Sequence, residues 1–323
     1  MVKSNILSTA MYAPSYVLTN DEMSRIVDTS DEWITTRTGI KRRHISRGEN
    51  TSDMAVKAGK KAIEKAGLSP LDIDAVILAS MSADYNTPSS ACIVQGALGC
   101  ENAFAFDLSA ACSGFVYALS CADKFIVSGA YKNILVIGAE CLSKVLNWQD
   151  RGTCVIFGDG AGAAVLSAGS TGGIIAEDLH ARGTDADKLT TLYSPVNNTL
   201  YKYEGEPKPY VEMDGRAIFN FAVKTVPKSI AEVVNKASLT FDDIKYIVPH
   251  QANARIIDAM AKKLKVSVDK FFVNIDEYGN TSAASIPMAL AQMDEENMLQ
   301  KGDKIIITGF GGGLTWGSML IEI

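Results

Sequence analysis

Metal-ligand spacing is missing from this sequence. The six cysteines (Cys92, Cys100, Cys112, Cys121, Cys141 and Cys154) form no Cys-x-x-Cys pair, and the three histidines are not spaced with them as a zinc site requires. No metal and no resident cofactor is therefore expected. Long apolar runs are missing too. Ile134–Ala139 and Ile305–Phe310 are strand-sized, far below the ~20 residues of a membrane span. The opening Met1-Val-Lys-Ser-Asn5 lacks the apolar stretch of a signal peptide, which makes the cytoplasm the expected compartment. Positive charge is in deficit, with 31 Lys+Arg against 37 Asp+Glu and a net charge of −6. That balance excludes a general nucleic-acid binder and leaves room only for a local basic patch. A chain with 47% hydrophobic and 21% charged residues buries a large core. Its 323 residues suffice for two domains or two halves of one body. In a reducing compartment, most of the cysteines are expected to be small buried apolar residues.

What is present is a repeat. Asn133–Gly138 resembles Lys304–Gly309, Leu68–Ile73 resembles Leu239–Ile244, and Tyr117–Leu119 resembles Met288–Leu290. In each case 171 residues separate equivalent positions, and the order is the same. One such match could be chance; a shared offset points to duplication, with halves at 1–171 and 172–323. Periodicity predicts strands at Ala75–Ala79, Ala103–Asp107, Asn133–Ile137 and Ala163–Ser167, with helices at Ser52–Ala66, Pro88–Leu98 and Ser113–Ser128. In the second half it predicts strands at Gly173–Ala176, Tyr246–Val248, Phe272–Asn274, Lys304–Thr308 and Ser318–Ile323. Helices are expected there at Arg216–Lys236, Ala252–Lys265 and Ser285–Gln292. Sheets covered by helices, in two stacked halves, give an α/β fold of five layers, α-β-α-β-α.

Two stretches interrupt the repeat. Ser30–Asn50 is aromatic and basic, with Trp33, Arg37, Lys41, Arg42 and Arg43. Arg182–Tyr210 is a polar excursion that serves either as a lid or tunnel wall or as a plain insertion. Two glycine-rich segments, Phe157–Gly162 and Gly309–Gly317, precede apolar stretches that read as strands. A phosphate loop needs a helix at that place, so both are expected to be strand–turn–strand. Successive glycines bring backbone N–H groups close to a reacting carbonyl, or they simply make a tight hairpin.

Cys112 stands where the strand ending near Asp107 turns into a helix, flanked by Ala110, Ala111, Ser113 and Gly114. Small neighbours allow a sharp turn, and a helix N-terminus favours thiolate over thiol. Alone, this is also the setting of an ordinary core thiol. His180 reads as a surface histidine and His44 belongs to the basic excursion. His250 instead ends the strand Tyr246–Pro249, where open α/β sheets place their ligands. Asn280, in Asp276–Pro287, falls near the counterpart of Cys112 in the second half. A Cys, a His and an Asn at three strand ends compose an acyl-transfer site.

These segments resemble the β-ketoacyl-acyl carrier protein synthase III family, which initiates type II fatty-acid synthesis on a thiolase-like fold. The resemblance spans the chain: Asp28–Ile34, Arg37–Ile40, the Cys112 turn, Gly158–Gly162, His250–Asn253, Gly279–Ala284 and Gly309–Gly317. It implies that Cys112 takes an acyl group from acyl-CoA. Malonyl-acyl carrier protein then loses CO₂, and its carbanion attacks the thioester. By the same resemblance, His250 and Asn280 hydrogen-bond the malonyl thioester oxygen, and the N–H groups of Cys112 and Gly312 form an oxyanion hole. Trp33 would stack on the CoA adenine with Arg151 on the other side, while Arg37 faces phosphate. Thr29, Gly215, Phe219, Ala252, Asn253 and Ile256 would line the pantetheine tunnel. Arg255, Lys262 and Lys263, on the helix after His250, would dock the acidic carrier protein. The family implies a homodimer. In relatives that use short primers, a Phe often stands where this chain has Thr87, so Thr87 implies room for a longer or branched primer.

Related chemistries fit less well. A thiolase needs a second catalytic cysteine near the glycine-rich end, and none follows Cys154; an elongating synthase places a histidine where Asn280 stands. A polyketide starter synthase or an acyl-CoA condensing enzyme shares the Cys–His–Asn set. A non-catalytic carrier-binding subunit would not need it. A cysteine hydrolase uses the same three residue types, without needing Trp33 and Arg37 or a duplicated body.

Overall fold

Strands covered on both faces must be apolar along their middle, and two segments of this chain meet that condition: Ala75–Ala79 and Asn133–Glu140 are buried at every position, the second polar only at its two ends. The structure, a computed structural model, describes residues 2–323; Met1 of the expected first half lies outside the described residues. Its first part contains β1 (Lys3–Tyr12), β2 (Val17–Thr19), α1 (Asn20–Met23), α2 (Asp31–Thr38), β3 (Arg42–His44), α3 (Thr51–Lys65), β4 (Ala75–Ala79), α4 (Ser90–Leu98), β5 (Phe104–Leu108), α5 (Gly114–Val127), β6 (Asn133–Glu140) and β7 (Gly160–Gly169). Its second part contains β8 (Gly173–Ala181), β9 (Leu189–Thr190), β10 (Glu212–Met213), α6 (Gly215–Lys236), β11 (Tyr246–Pro249), α7 (Ala254–Leu264), α8 (Ile275–Tyr278), α9 (Ser285–Glu295), β12 (Lys304–Gly311) and β13 (Thr315–Glu322).

The first sheet runs β1-β7-β6-β4-β5 and the second, read in the matching direction, β8-β13-β12-β11. In both, a parallel pair (β4 with β6, β11 with β12) is extended by antiparallel neighbours. The 171-residue offset therefore relates β4 to β11, β6 to β12 and α5 to α9. Helices α5 and α9 lie between the sheets in one shared core with Ile77, Val136, Val248 and Ile307. The outer face of the first sheet is covered by α3 and α4, and that of the second by α6 and α7. These are the five layers expected. Among the described residues no helix is long and apolar enough to cross a membrane.

Three local expectations need correction. The segment Phe272–Asn274 is not a strand: only Phe271 makes a lone parallel bridge to Ile247. The side chain of Gln251 stands in for the missing ladder, its Nε2 donating to Phe272 O and its Oε1 accepting from Asn274 N–H. Phe157–Gly162 is not strand–turn–strand, because turns precede Gly160 and Phe157 only bridges to Asn280. The Gly309–Gly317 segment is the hairpin between β12 and β13. The third difference is β1, absent from the periodicity. Its Ser4, Ser8 and Thr9 point inward and are satisfied by Asp123, the Ala62 carbonyl and Asp294, so the strand carries no apolar alternation.

The halves meet without room for a side chain. A Cβ at Gly309 of β12 would lie 2.8 Å from Ser113 Cα, and one at the equivalent Gly138 of β6 would collide with the Ala283 carbonyl. Overpacking against backbone has no flexible neighbour to yield. Gly138→Ala and Gly309→Ala should each destabilise the fold by about 2 kcal/mol or more. Thermal melts check this, and a variant melting with the wild type would refute the packing argument.

Candidate active site

Cys112 is presented by a strained turn. After β5, Ala111 takes φ +47°, a region that Ala rarely enters, and a 3₁₀ turn over Ala111–Ser113 leads into α5. Ser113 Oγ lies 2.8 Å from both Ala110 O and Thr315 Oγ1, tying the turn to the glycine-rich hairpin. Gly311 passes so close that a Cβ there would sit 2.8 Å from Cys112 N and 3.2 Å from Sγ. Gly312 follows at the hairpin tip, where a Cβ would lie 3.5 Å from that of Ala111.

A cavity of about 170 Å³ opens onto Cys112, His250 and Asn280 together. Phe310 and Gly311 close it beside Cys112, while Ile156 and Phe157 flank it. Of the residues expected along a tunnel, Gly215, Phe219, Ala252, Asn253 and Ile256 line it. Leu189 and Met213 do as well, so the foot of the Arg182–Tyr210 excursion is a wall of this cavity. Thr29, Gly312 and Thr87 lie outside its lining. Thr29 Oγ1 is buried with no hydrogen-bond partner, and Thr87 is exposed on the loop before α4.

Each polar group is fixed by a second contact. His250 N–H donates to Thr308 O (2.7 Å), and Nδ1 lies 2.7 Å from Ser285 Oγ. Ser285 Oγ also accepts from Gln251 N–H at 3.4 Å. The hydroxyl proton is thus free for Nδ1, leaving Nε2 protonated as a donor. Burial pushes the imidazole down to about 3, so the ring is neutral. Asn280 Oδ1 accepts from Ser282 N–H at 2.9 Å, which commits the oxygen and leaves the Nδ2 amide to donate. For Cys112, burial pushes the thiol up to about 12, the Ser282 hydroxyl opposes the rise and the Glu140 charge adds to it. The expected acidic shift from the helix N-terminus is therefore not seen; desolvation of the thiolate outweighs it.

Sequence reading missed Glu140, Ser282, Ser285 and Gln251. Glu140 had a signal: a carboxylate ending the otherwise apolar strand β6. The serines had none, because their roles depend on contacts between the halves.

Outside the cavity, Trp33 lies on α2 with Arg37 and Arg151 both over its ring, at 4.9 and 4.7 Å from the centroid. Arg151 also donates to Asp28 O. Arg255, Lys262 and Lys263 are exposed on α7, whose Ile256, Ile257, Met260 and Ala261 are buried, and among the described residues none of the three makes an ion pair.

Residues 106–183 match the family described as 3-oxoacyl-[acyl-carrier-protein (ACP)] synthase III, and residues 234–323 match its C-terminal family. Over 322 residues the chain is 52% identical to the beta-ketoacyl-[acyl-carrier-protein] synthase III of Clostridium novyi, covering 100% of this chain and 99% of that one. The crystal structure of 3-oxoacyl-[acyl-carrier-protein] synthase III from Aquifex aeolicus superposes with a TM-score of 0.93 at 46% identity, covering 99% of this chain and 100% of that one. The priming β-ketosynthase of the R1128 polyketide pathway superposes with a TM-score of 0.93 at 34% identity, covering 99% and 96%. The five-layer body is the thiolase-like fold of these structures.

A neutral buried His250 has a testable signature. Its folded value lies far below the 6.5 of an unfolded histidine. Its contribution to stability is therefore whole above pH 6.5 and falls as pH drops below it, where the unfolded state takes up a proton. In ¹⁵N-histidine spectra, the His250 ring should remain the neutral Nε2–H tautomer from about pH 8 to about pH 5. Ser285→Ala should admit the other tautomer. A ring titrating near 6.5 would contradict the assignment.

Proposed function

The chain belongs to the β-ketoacyl-acyl carrier protein synthase III family, condensing enzymes that initiate fatty-acid synthesis by a Claisen condensation, and from that premise we propose how its own residues divide the work. Cys112 takes the acyl group of an acyl-CoA as a thioester. Malonyl-acyl carrier protein then enters and loses CO₂, and its carbanion attacks that thioester to give β-ketoacyl-acyl carrier protein. The N–H groups of Cys112 and Gly312 hold the oxyanion of the acyl transfers. His250 Nε2–H and Asn280 Nδ2–H hold the enolate oxygen that decarboxylation creates. The observation that carries this reading is that both donors are fixed by a second hydrogen bond and open onto the cavity of the thiol. Negative charge developing on a thioester oxygen is stabilised by preset donors in a dry site, each worth about 3 kcal/mol.

The CoA arm rests on Trp33. An adenine between Trp33 and Arg151 needs about 7 Å, twice a stacking distance, whereas Arg151 now lies 4.7 Å from the ring. Arg151 would swing off Asp28 to admit the base, with Arg37 toward phosphate and Thr29 on the path toward the pantetheine tunnel. Gly215, Phe219, Ala252, Asn253 and Ile256 would hold the pantetheine. Beside that mouth, the unpaired Arg255, Lys262 and Lys263 would receive an acidic carrier protein.

The homodimer has its own support. β5 is an edge strand of sequence Phe-Ala-Phe-Asp-Leu, a poor edge for a protein that keeps it in water. Phe104 packs on Phe106, Phe125 and Tyr131 while Phe104 and Tyr131 stay about a third exposed. A second copy pairing along β5 would cover this patch. Asp107 of β5 also accepts from Ser90 N–H and Ala91 N–H, which sets the Thr87 loop beside the same edge. From there Thr87 would reach the partner's acyl pocket. Six thiols without a disulfide suit the cytoplasm. The likeness to a polyketide priming ketosynthase favours one second reading, the same chemistry serving a polyketide starter.

Intact-protein mass tests the reading. Wild type mixed with acetyl-, isobutyryl- or octanoyl-CoA should gain a labile acyl mass that Cys112→Ser does not, and lose it as β-ketoacyl carrier protein and CO₂ appear on adding malonyl-acyl carrier protein. No acyl-enzyme with any primer, while CoA still binds, would leave a binding subunit; loss of the acyl mass to water alone would mean a hydrolase. In the same assay, Thr87→Phe should narrow the primer range toward two carbons. An unchanged chain-length profile would remove Thr87 from the pocket.

A further inference from the structure

Glu140 is buried completely, one strand end away from the nucleophile, and among the described residues no cation pairs with it. Its surroundings supply protons rather than charge. Ser82 Oγ donates to Oε2 at 2.5 Å and Ser80 Oγ at 3.1 Å, while Met81 N–H donates to both oxygens at 3.2 Å. Ala283 N–H approaches Oε1 at 3.5 Å. Both hydroxyl oxygens are themselves acceptors, of Cys141 N–H at Ser82 and of Ser82 N–H at Ser80, so their protons point at the carboxylate. Burial pushes the carboxyl up from its ordinary range and these donors oppose the rise; ringed by donors and offered no acceptor, it is held as a carboxylate of raised proton affinity.

Between this carboxylate and the thiol stands one side chain. The Ser282 hydroxyl is buried without a hydrogen-bond partner. Its 3₁₀ turn, Ser282–Ala284, packs on the Cys112 turn, the adjoining Ala283 N–H approaches Glu140 Oε1, and the hydroxyl opposes the rise in proton affinity of both groups. Its backbone takes φ +48°, the same strained conformation as Ala111, 171 residues earlier. An unpartnered buried hydroxyl costs stability, and here it lies between a proton donor and a proton acceptor.

We infer that Ser282 and Glu140 form a proton relay for the acyl-loading step. This inference rests on Cys112 being the loaded nucleophile. As Cys112 Sγ attacks the thioester carbonyl, its S–H proton passes to Ser282 Oγ, and the Ser282 proton passes to Glu140. The Sγ–C bond forms, and the tetrahedral adduct expels the CoA sulfur with the electrons of its C–S bond. The proton then returns from Glu140 through Ser282 to that sulfur. The thiol proton ends on CoA, and nothing else is consumed. Neutral His250 is not needed as a base, which leaves it free as a hydrogen-bond donor. The raised value of the thiol agrees, since a free thiolate is disfavoured and the proton must leave as the Sγ–C bond forms.

Rapid-mix mass spectrometry of acylation by acetyl-CoA, across pH, tests the relay in Ser282→Ala and Glu140→Gln. Alanine already occupies the strained conformation at position 111, so Ser282→Ala is compatible with the backbone. Both variants should bind CoA by calorimetry and load at least about 100-fold more slowly at neutral pH. Their loading rate should climb about tenfold per pH unit, as solvent hydroxide replaces the relay, while wild type stays flat over the same range. Ser282→Ala loading at the wild-type rate, or with the wild-type pH profile, overturns the inference. So does a slow Ser282→Ala with a normal Glu140→Gln. Failure of wild type itself to load is a different result, and sinks the proposed function.

Discussion

Everything in this active site depends on two backbones lying closer than any side chain permits. Gly309 and Gly311 of β12 press against Cys112 and Ser113, and Gly138 of β6 presses against Ala283. The contact is reciprocal: each half lays a central strand on the other's strained turn. Cys112 and Glu140 come from the first half, while His250, Asn280, Ser282 and Ser285 come from the second. Neither half contains a working set. The shared α5–α9 core is therefore as much a part of the site as the residues that touch substrate, because it sets the separation of the two turns.

The same approach dries the site, and dryness decides what each group can be. Desolvation holds His250 neutral and Cys112 protonated. In water neither would be remarkable for its proton; here both are fixed in one state across the working range. Polar groups persist in such a place only when satisfied, and the structure satisfies them locally: Ser285 for His250, Ser282 N–H for Asn280, a ring of hydroxyl and amide protons for Glu140. What is left unsatisfied, a donor on His250, a donor on Asn280 and the hydroxyl of Ser282, is what remains for chemistry.

Legibility from the sequence followed range. The 171-residue offset could be read from short matches because β6 and β12, and α5 and α9, carry their burial in consecutive apolar residues. Cys112, His250 and Asn280 could be read because each sits at a strand end marked by small or turn-forming neighbours. β1 could not, since its inward serines and threonine find partners more than fifty residues away. Nor could the absence of a strand at Phe272–Asn274, where a glutamine side chain replaces backbone pairing. The thiol's proton affinity was misjudged for a related reason: a helix N-terminus is visible in sequence, while the depth at which it is buried is not.

The duplicated strain also explains why the two halves are not redundant. A residue at φ near +48° costs about 1–3 kcal/mol and persists only where its surroundings demand it. At Ala111 the demand is plain, because the turn presents Cys112. At Ser282 the next residue is Ala283, which has nothing to present, yet the conformation is the same. Its use must lie in the backbone and in the serine itself. The turn aims Ser282 N–H at Asn280 Oδ1, brings Ala283 N–H toward Glu140, and leaves the Ser282 hydroxyl buried and unpartnered where this turn packs on the Cys112 turn of the other half. One half keeps the strained turn to expose a nucleophile, and the other keeps it to surround that nucleophile with oriented protons.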